Sequence, residues 1–330
     1  HTDSSAASDV YKRQILGHER NFIRLSKLIK KHKLPNSIIF QGSKGIGKTT
    51  SAYRIAQFIF EQKNNPSDNY VFTNSDIYQK ICNNSYPNLL IIQKPWLEDK
   101  KRFKNQIHKD DISSVKRFYL NKEGTGQYRI CIIDNIDDFS TDASNSLLKL
   151  IEEPPKDSLF IIINHNKSRL LKTIQSRSFI LNFSNLKIDD YTHLLKINNC
   201  RFDNIGKLYD LTGADLQSSF DYVDNDFDSI DDHFKSLLID PLKIKINTAS
   251  HYVTFFNERT SLENSDNFIN YLLLRIKMTI LELIRDKKTP GIFKLIKSYY
   301  FLDKVYKNQK IFNLNFDHIL IKFFNYLKNA

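Results

Sequence analysis

From Ile15 to about Phe183, short apolar runs rich in Ile, Leu and Phe alternate with stretches whose apolar positions recur three or four residues apart. That alternation is the pattern of a parallel sheet with helices on its faces. The expected strands are SIIFQ (37–41), NLLII (88–92), YRICII (128–133), LFIIIN (159–164) and FILNF (179–183). Each is short and almost continuously apolar, as strands covered on both sides should be. A helix is expected from His18, with Phe22, Leu25, Leu28 and Ile29 on one face, and another from Lys48, with Ala52, Ile55, Ala56 and Ile59 on one face. Two more are expected over 111–120 and 142–151, the latter capped by Ser140 or Thr141 and stopped by Pro154 and Pro155.

After Asn185 the strands cease and helical periodicity continues to the C-terminus. Pro241 and the acidic stretch DNDFDSIDD (224–232) mark a boundary within this region. The expected division is a tail over 1–14, an α/β domain over 15–185, a small helical domain over 186–238 and a second helical domain over 239–330. The tail, HTDSSAASDVYKRQ, is polar and without an apolar core, and reads as disordered or non-native.

Composition adds little to this picture. With 330 residues and 41% apolar content, the chain can bury a sizeable core. Its net charge of +12 favours polyanions such as nucleic acid, but the lysines are spread throughout. Cys82, Cys131 and Cys200 form no C-x-x-C pair, which implies a reducing compartment and no zinc ribbon. The most apolar long segment, YLLLRIKMTILELI from Tyr271, carries Arg275, Lys277 and Glu282, so no membrane span is expected.

The chemistry lies in GSKGIGKT, which matches G-x-x-x-x-G-K-[ST] between an expected strand and an expected helix. In such a loop the backbone N–H groups of Gly42, Ser43, Lys44, Gly45, Ile46 and Gly47 converge on phosphate oxygens, and the helix N-terminus at Lys48, Thr49 and Thr50 adds partial positive charge. Lys48 would reach the β- and γ-phosphates and Thr49 would ligate Mg²⁺. The alternative is a bare glycine turn. Asp134, at the end of the strand YRICII, is the expected second Mg²⁺ anchor, or else a strand-end acid that only caps a helix. Asn135 follows where a water-activating carboxylate is expected. An amide can orient a water but cannot take its proton, and loss of general-base help slows a reaction by about 10²–10⁴.

The runs SNSLLKLIEEPP (144–155), FIIINHN (160–166) and LLKTIQSRS (170–178), with ILGHE (15–19), NNSYPNLLII (83–92) and the phosphate loop, resemble the bacterial clamp-loader subunits of the AAA+ class. Within it they are most similar to the delta-prime branch of DNA polymerase III. The resemblance covers about half the chain; beyond it the C-terminal part agrees only in being helical. It implies a doubly wound parallel sheet of the AAA+ P-loop type, a helical lid over 186–238 and a helical collar over 239–330. It also implies ATP or ADP with Mg²⁺ as ligands, and other clamp-loader subunits as partners. Through the complex, the sliding clamp and primed DNA would follow, in a cytoplasmic replisome and without a membrane.

On this resemblance Arg177 is an arginine finger that acts on a neighbour's nucleotide, with Ser178 in place of the family's cysteine. Asn164 or His165 is the polar sensor at its strand end. Three departures stand out. Asn135 replaces the catalytic Glu of active relatives, Cys82 alone stands where many relatives carry zinc-binding cysteines, and LTGADLQSSF (211–220) lacks the second sensor's arginine. The expected protein belongs to the polymerase holoenzyme without being a polymerase, and its own ATPase is weak. The alternatives are an autonomous AAA+ ATPase, such as a motor subunit or a branch-migration enzyme, and a nucleotide-independent scaffold.

Overall fold

The computed structural model describes residues 16–62, 75–97, 102–104, 106–120, 128–165, 170–245, 247–259, 265–287, 291–312 and 315–329. The tail expected over 1–14 lies outside the described residues. The chain divides into two compact units, one ending at Asn198 and one beginning at Asn199.

The first unit is built on five parallel strands: β1 (Ser37–Gln41), β2 (Leu89–Ile92), β5 (Arg129–Ile133), β6 (Ser158–Asn164) and β7 (Phe179–Asn182). Their order across the sheet is β2-β5-β6-β1-β7. A two-stranded antiparallel pair, β3 (Trp96–Leu97) and β4 (Arg102–Phe103), stands apart from it. Every residue of β6 and β1 is buried, whereas the edge strands β2 and β7 are only partly so. Burial on both faces explains why these segments read as unbroken apolar runs.

Alternate side chains of the strands feed two cores. One contains Ile38, Phe40, Ile132 and Ile161 and packs against Ala52, Ile55 and Ile59. These last three belong to α2 (Lys48–Gln62), whose neighbour α1 (Glu19–Lys30) adds Leu25. The other contains Ile39, Cys131, Ile133 and Ile162. It packs against Ile112 and Val115 of α4 (Lys109–Leu120), and against Ala143, Leu147 and Ile151 of α5 (Thr141–Glu152). Period-two alternation thus sends one side chain to each helical layer, which makes the sheet doubly wound. Each fully buried Ile or Phe contributes about 1.5–3 kcal/mol relative to exposure.

Helix boundaries follow local chemistry. The Ser140 hydroxyl accepts from the N–H of Ala143 at the start of α5. Ser75 does the same for α3 (Asp76–Cys82), a helix that the apolar spacing did not announce. Two short helices complete the unit, α6 (Lys172–Gln175) before β7 and α7 (Ile188–Ile197) after it.

The second unit is entirely helical among its described residues: α8 (Ile205–Thr212), α9 (Leu216–Asp224), α10 (Asp228–Ile239), α11 (Thr248–Arg259), α12 (Ser265–Arg285), α13 (Ile292–Phe312) and α14 (Phe316–Asn329). Its core is aromatic, with Phe227 stacked on Tyr271 at 4.6 Å, Phe256 against Phe316 at 4.2 Å and Tyr252 against Phe324 at 4.8 Å. The apolar segment from Tyr271 lies in α12, where Arg275 is buried and paired with Asp231. No described helix is long and apolar enough to cross a membrane.

Candidate functional site

The phosphate loop leaves the C-terminal end of β1 and enters α2 at Lys48. Gly42 is fixed by close approach, since a Cβ there would meet the Phe183 carbonyl oxygen at 2.4 Å. Gly47 has φ +90°, which strains any other residue. The loop is also held from α1's side. The ring of His18, at the cap of α1, donates from Nε2 to the Ile46 carbonyl at 2.6 Å and packs edge-on against Phe183 at 4.7 Å. Burial pulls the His18 imidazole below its usual range, with the Ile46 hydrogen bond acting against it. Sequence reading missed this role, although the Gly17-His18 pair directly before a helix was its visible signal.

Lys48 is buried and donates from Nζ to the Gly42 carbonyl at 2.9 Å and to the Ser43 carbonyl. Thr49 donates from Oγ1 to Oδ1 of Asp134 at 2.8 Å, so the two expected Mg²⁺ anchors meet. Burial raises the Asp134 carboxyl, with Asp138 acting in the same sense; Thr49, Lys48 and Lys44 act against it. A hydroxyl beside a half-buried carboxylate is the hard-oxygen donor pair that Mg²⁺ takes, and these residues fit that ion.

Asn135 behaves differently. Its side-chain oxygen accepts from the N–H of Asp137 at 3.1 Å and caps a 3₁₀ turn over Ile136–Asp138. The amide serves the backbone. The nearby acid with a structural hold on the site is Asp137, which the sequence pattern did not single out. Its Oδ2 accepts from the backbone N–H of His165 at 3.0 Å and its Oδ1 from Nδ2 of Asn164 at 3.4 Å. Asn164 is fully buried, and its Oδ1 also accepts from Nε2 of Gln41 at 3.3 Å. The two sensor candidates are therefore tied to the strand end by one carboxylate.

Arg177 lies at the other edge of the sheet. It precedes β7, whose Phe179 pairs with Ile38 near the start of β1, and Ser178 hydrogen-bonds through its hydroxyl to that of Ser37 at 2.8 Å. The phosphate loop follows the end of β1. At about 3.3 Å per residue, the intervening strand separates Arg177 from its own phosphate loop by roughly 13–16 Å. Its Nε is 3.1 Å from Oε1 of Glu152, Nη1 donates to the Thr173 carbonyl at 3.1 Å, and the side chain is 42% exposed.

The sequence profile of the family described as DNA polymerase III, delta subunit, matches residues 17–187, a little over half of the chain. The chain belongs to that family. The match takes in the phosphate loop, Asp134 and Arg177 of this delta-family chain, and ends before the helices of the second unit. Over 163 residues, 48% of this chain and 45% of the relative, it is 30% identical to the DNA polymerase III subunit delta' of Bacillus subtilis. Over 147 residues, 44% of this chain and 43% of the relative, it is 31% identical to the corresponding subunit of Buchnera aphidicola. The delta-family chain thus matches less than half the length of these relatives. Among solved structures it is similar to a DNA polymerase III gamma-subunit-related protein of Thermotoga maritima, with 17% identity, a TM-score of 0.47 and coverage of 92% of this chain and 98% of that one.

Proposed function

We propose that this delta-family chain is a clamp-loader subunit of the delta-prime type, which holds ATP or ADP with Mg²⁺ and lends Arg177 to the nucleotide of an adjoining subunit. The observation that carries the reading is the position of Arg177. An exposed guanidinium at the sheet edge remote from its own phosphate loop cannot neutralise charge there, whereas a neighbour packed against that edge would receive it. Planar cations presented to a transferring phosphoryl group accelerate its transfer by about 10³–10⁵ in other systems.

At the chain's own site, the loop backbone would cradle the phosphates, Lys48 would leave the Gly42 and Ser43 carbonyls for the β- and γ-oxygens, and Thr49 and Asp134 would hold Mg²⁺. The ion supplies charge neutralisation across the phosphate oxygens. With Asn135 committed to its turn, no side chain at that position takes a proton from water, so turnover is slow. The helices over 186–238 would form a lid and those over 239–330 a collar that joins the subunits. The assembly would place the sliding clamp on primed DNA in the cytoplasm.

Titration calorimetry of the full chain with ATP and Mg²⁺ tests the nucleotide part. A saturable binding heat that disappears in Lys48→Ala is expected. Absence of any heat in the unsubstituted chain contradicts it and favours a scaffold with a vestigial loop.

A further inference from the structure

The lysines run the length of the chain, but the acids thin out towards its end. Residues 287–330 carry nine lysines against two aspartates, a net +7 of the chain's +12. Most of this stretch folds into α13 and α14. One side of α13 is internal: Leu295, Ser298, Leu302 and Tyr306 are buried, and Phe301 stacks on Tyr326 of α14 at 4.1 Å. The other side is open. Phe293, Lys297, Tyr300 and Lys304, spaced by three or four residues, form one exposed stripe along the helix.

Rings and charges alternate on that stripe. Phe293 at 69% and Tyr300 at 66% are the most exposed Phe and Tyr side chains among the described residues. Lys297 holds its Nζ 4.5 Å from the centroid of the Phe293 ring. Lys297 and Lys304 pair with no described carboxylate, whereas Lys307, one turn on, is held by Asp303 at 2.6 Å. Single-stranded nucleic acid matches both features, because its unpaired bases offer faces to the rings and its phosphates offer charge to the lysines between them. A duplex supplies the charge but keeps its bases stacked on one another. An apolar protein surface would cover the rings, yet lysine is depleted from the cores of protein interfaces. At 1.5 Å per residue the two rings lie about 10 Å apart, so the stripe suits a run of nucleotides rather than a single one.

We propose that the exposed stripe of α13 binds single-stranded nucleic acid, with bases stacked on Phe293 and Tyr300 and phosphates held by Lys297 and Lys304. The ammonium that rests on Phe293 in the free chain leaves the ring for a phosphate as a base takes its place. The surface belongs to the helical unit and does not involve the phosphate loop, so its success or failure is separate from that of nucleotide binding.

Fluorescence anisotropy of a labelled oligo(dT) of about 16 nucleotides, titrated with the full chain at about 50 mM salt, tests it against a duplex of equal length. The single strand should bind more tightly than the duplex. Phe293→Ala and Tyr300→Ala should each weaken it by about fivefold or more. Lys297→Gln combined with Lys304→Gln should reduce the slope of log affinity against log salt by about 1.4. All four side chains are exposed, and an unchanged melting temperature shows that each variant folds. No binding of oligo(dT) overturns the inference. Equal affinity for the duplex, or binding indifferent to loss of both rings, marks a diffuse basic exterior and overturns it too. If the ring variants bind oligo(dT) normally but fail to assemble with the other subunits, the face is a protein contact instead.

Discussion

Arg177→Ala is expected to lower the DNA-stimulated ATP hydrolysis of the assembled clamp loader by about 10³-fold or more at the site it completes, while the subunits still assemble. The expectation follows from topology. Parallel pairing of β7 with β1 places Arg177, two residues before β7, at the strand-start edge, and the chain's own phosphate loop at the strand-end edge. The side chain rests meanwhile on Glu152 and on the Thr173 carbonyl, close to the end of α5 and the start of α6. That ion pair is an exposed one, and such pairs contribute about 0–1 kcal/mol, so its loss should hardly change the melting temperature. Arg177→Lys should recover little of the rate, because an ammonium cannot reproduce the planar fork of donors. Glu152→Gln, which frees the arginine, should leave hydrolysis close to that of the unsubstituted complex. The readout is steady-state phosphate release by reconstituted complexes. Equal rates for Arg177→Ala and the unsubstituted complex would remove the finger.

The second large effect belongs to the helical unit. Asp231 is fully buried on α10 and pairs with the almost completely buried Arg275 of α12. Tyr271 donates its hydroxyl to the same carboxylate at 3.2 Å, and Nζ of Lys207 lies 3.2 Å away. Glu282, at 3.6 Å from Arg275, links the group to Lys235. Asp231→Ala removes the buried partner of the guanidinium, leaving it the longer contact to Glu282, and deprives the Tyr271 hydroxyl of its acceptor, at a cost of about 3–5 kcal/mol. For a unit of this size that should lower its melting temperature by about 10–20 °C. The double substitution Asp231→Leu with Arg275→Met removes both charges and should recover most of the loss. Calorimetric melting checks both. A full effect that persists in the double variant would mean that shape rather than charge is at stake. The two charges sit on separate helices, so the pair also fixes how α10 and α12 register against each other.

Much of the α/β unit was legible because its physics is local. The strands are apolar on both faces, and the segments 37–41, 88–92, 128–133, 159–164 and 179–183 reappear as parallel strands within a residue at either end. The phosphate loop was legible for the same reason, since glycine spacing and the Lys-Thr pair describe one short stretch of backbone. The Thr49–Asp134 contact, which joins residues 85 apart, was recovered because a known loop type names its partner in advance. What escaped depends on side-chain direction. Nothing in IDNIDD tells which carboxyl or amide faces the site. The backbone turns at Asn135, so that residue caps its own turn and Asp137 reaches across to β6. Helix α3 is short and rests on its serine cap rather than on a long apolar stripe, and the β3-β4 pair is only two residues deep; neither has a periodicity to read. The buried charge pair was hidden for a further reason. Asp231 sits in an acidic run that resembles a solvated helix face and Arg275 interrupts an apolar segment, and only packing of α10 against α12 reveals them as partners.

The central claim is that this chain has the cradle for a nucleotide without the means to hydrolyse it briskly alone. Single-turnover hydrolysis of radiolabelled ATP by the isolated full chain, at protein concentrations where binding is saturated, tests it directly. The account predicts bound ATP that turns over about 10²–10⁴-fold more slowly than in a AAA+ site with its carboxylate in place. Turnover of about 1 s⁻¹ or faster by the chain alone, within the ordinary enzyme range, would contradict it.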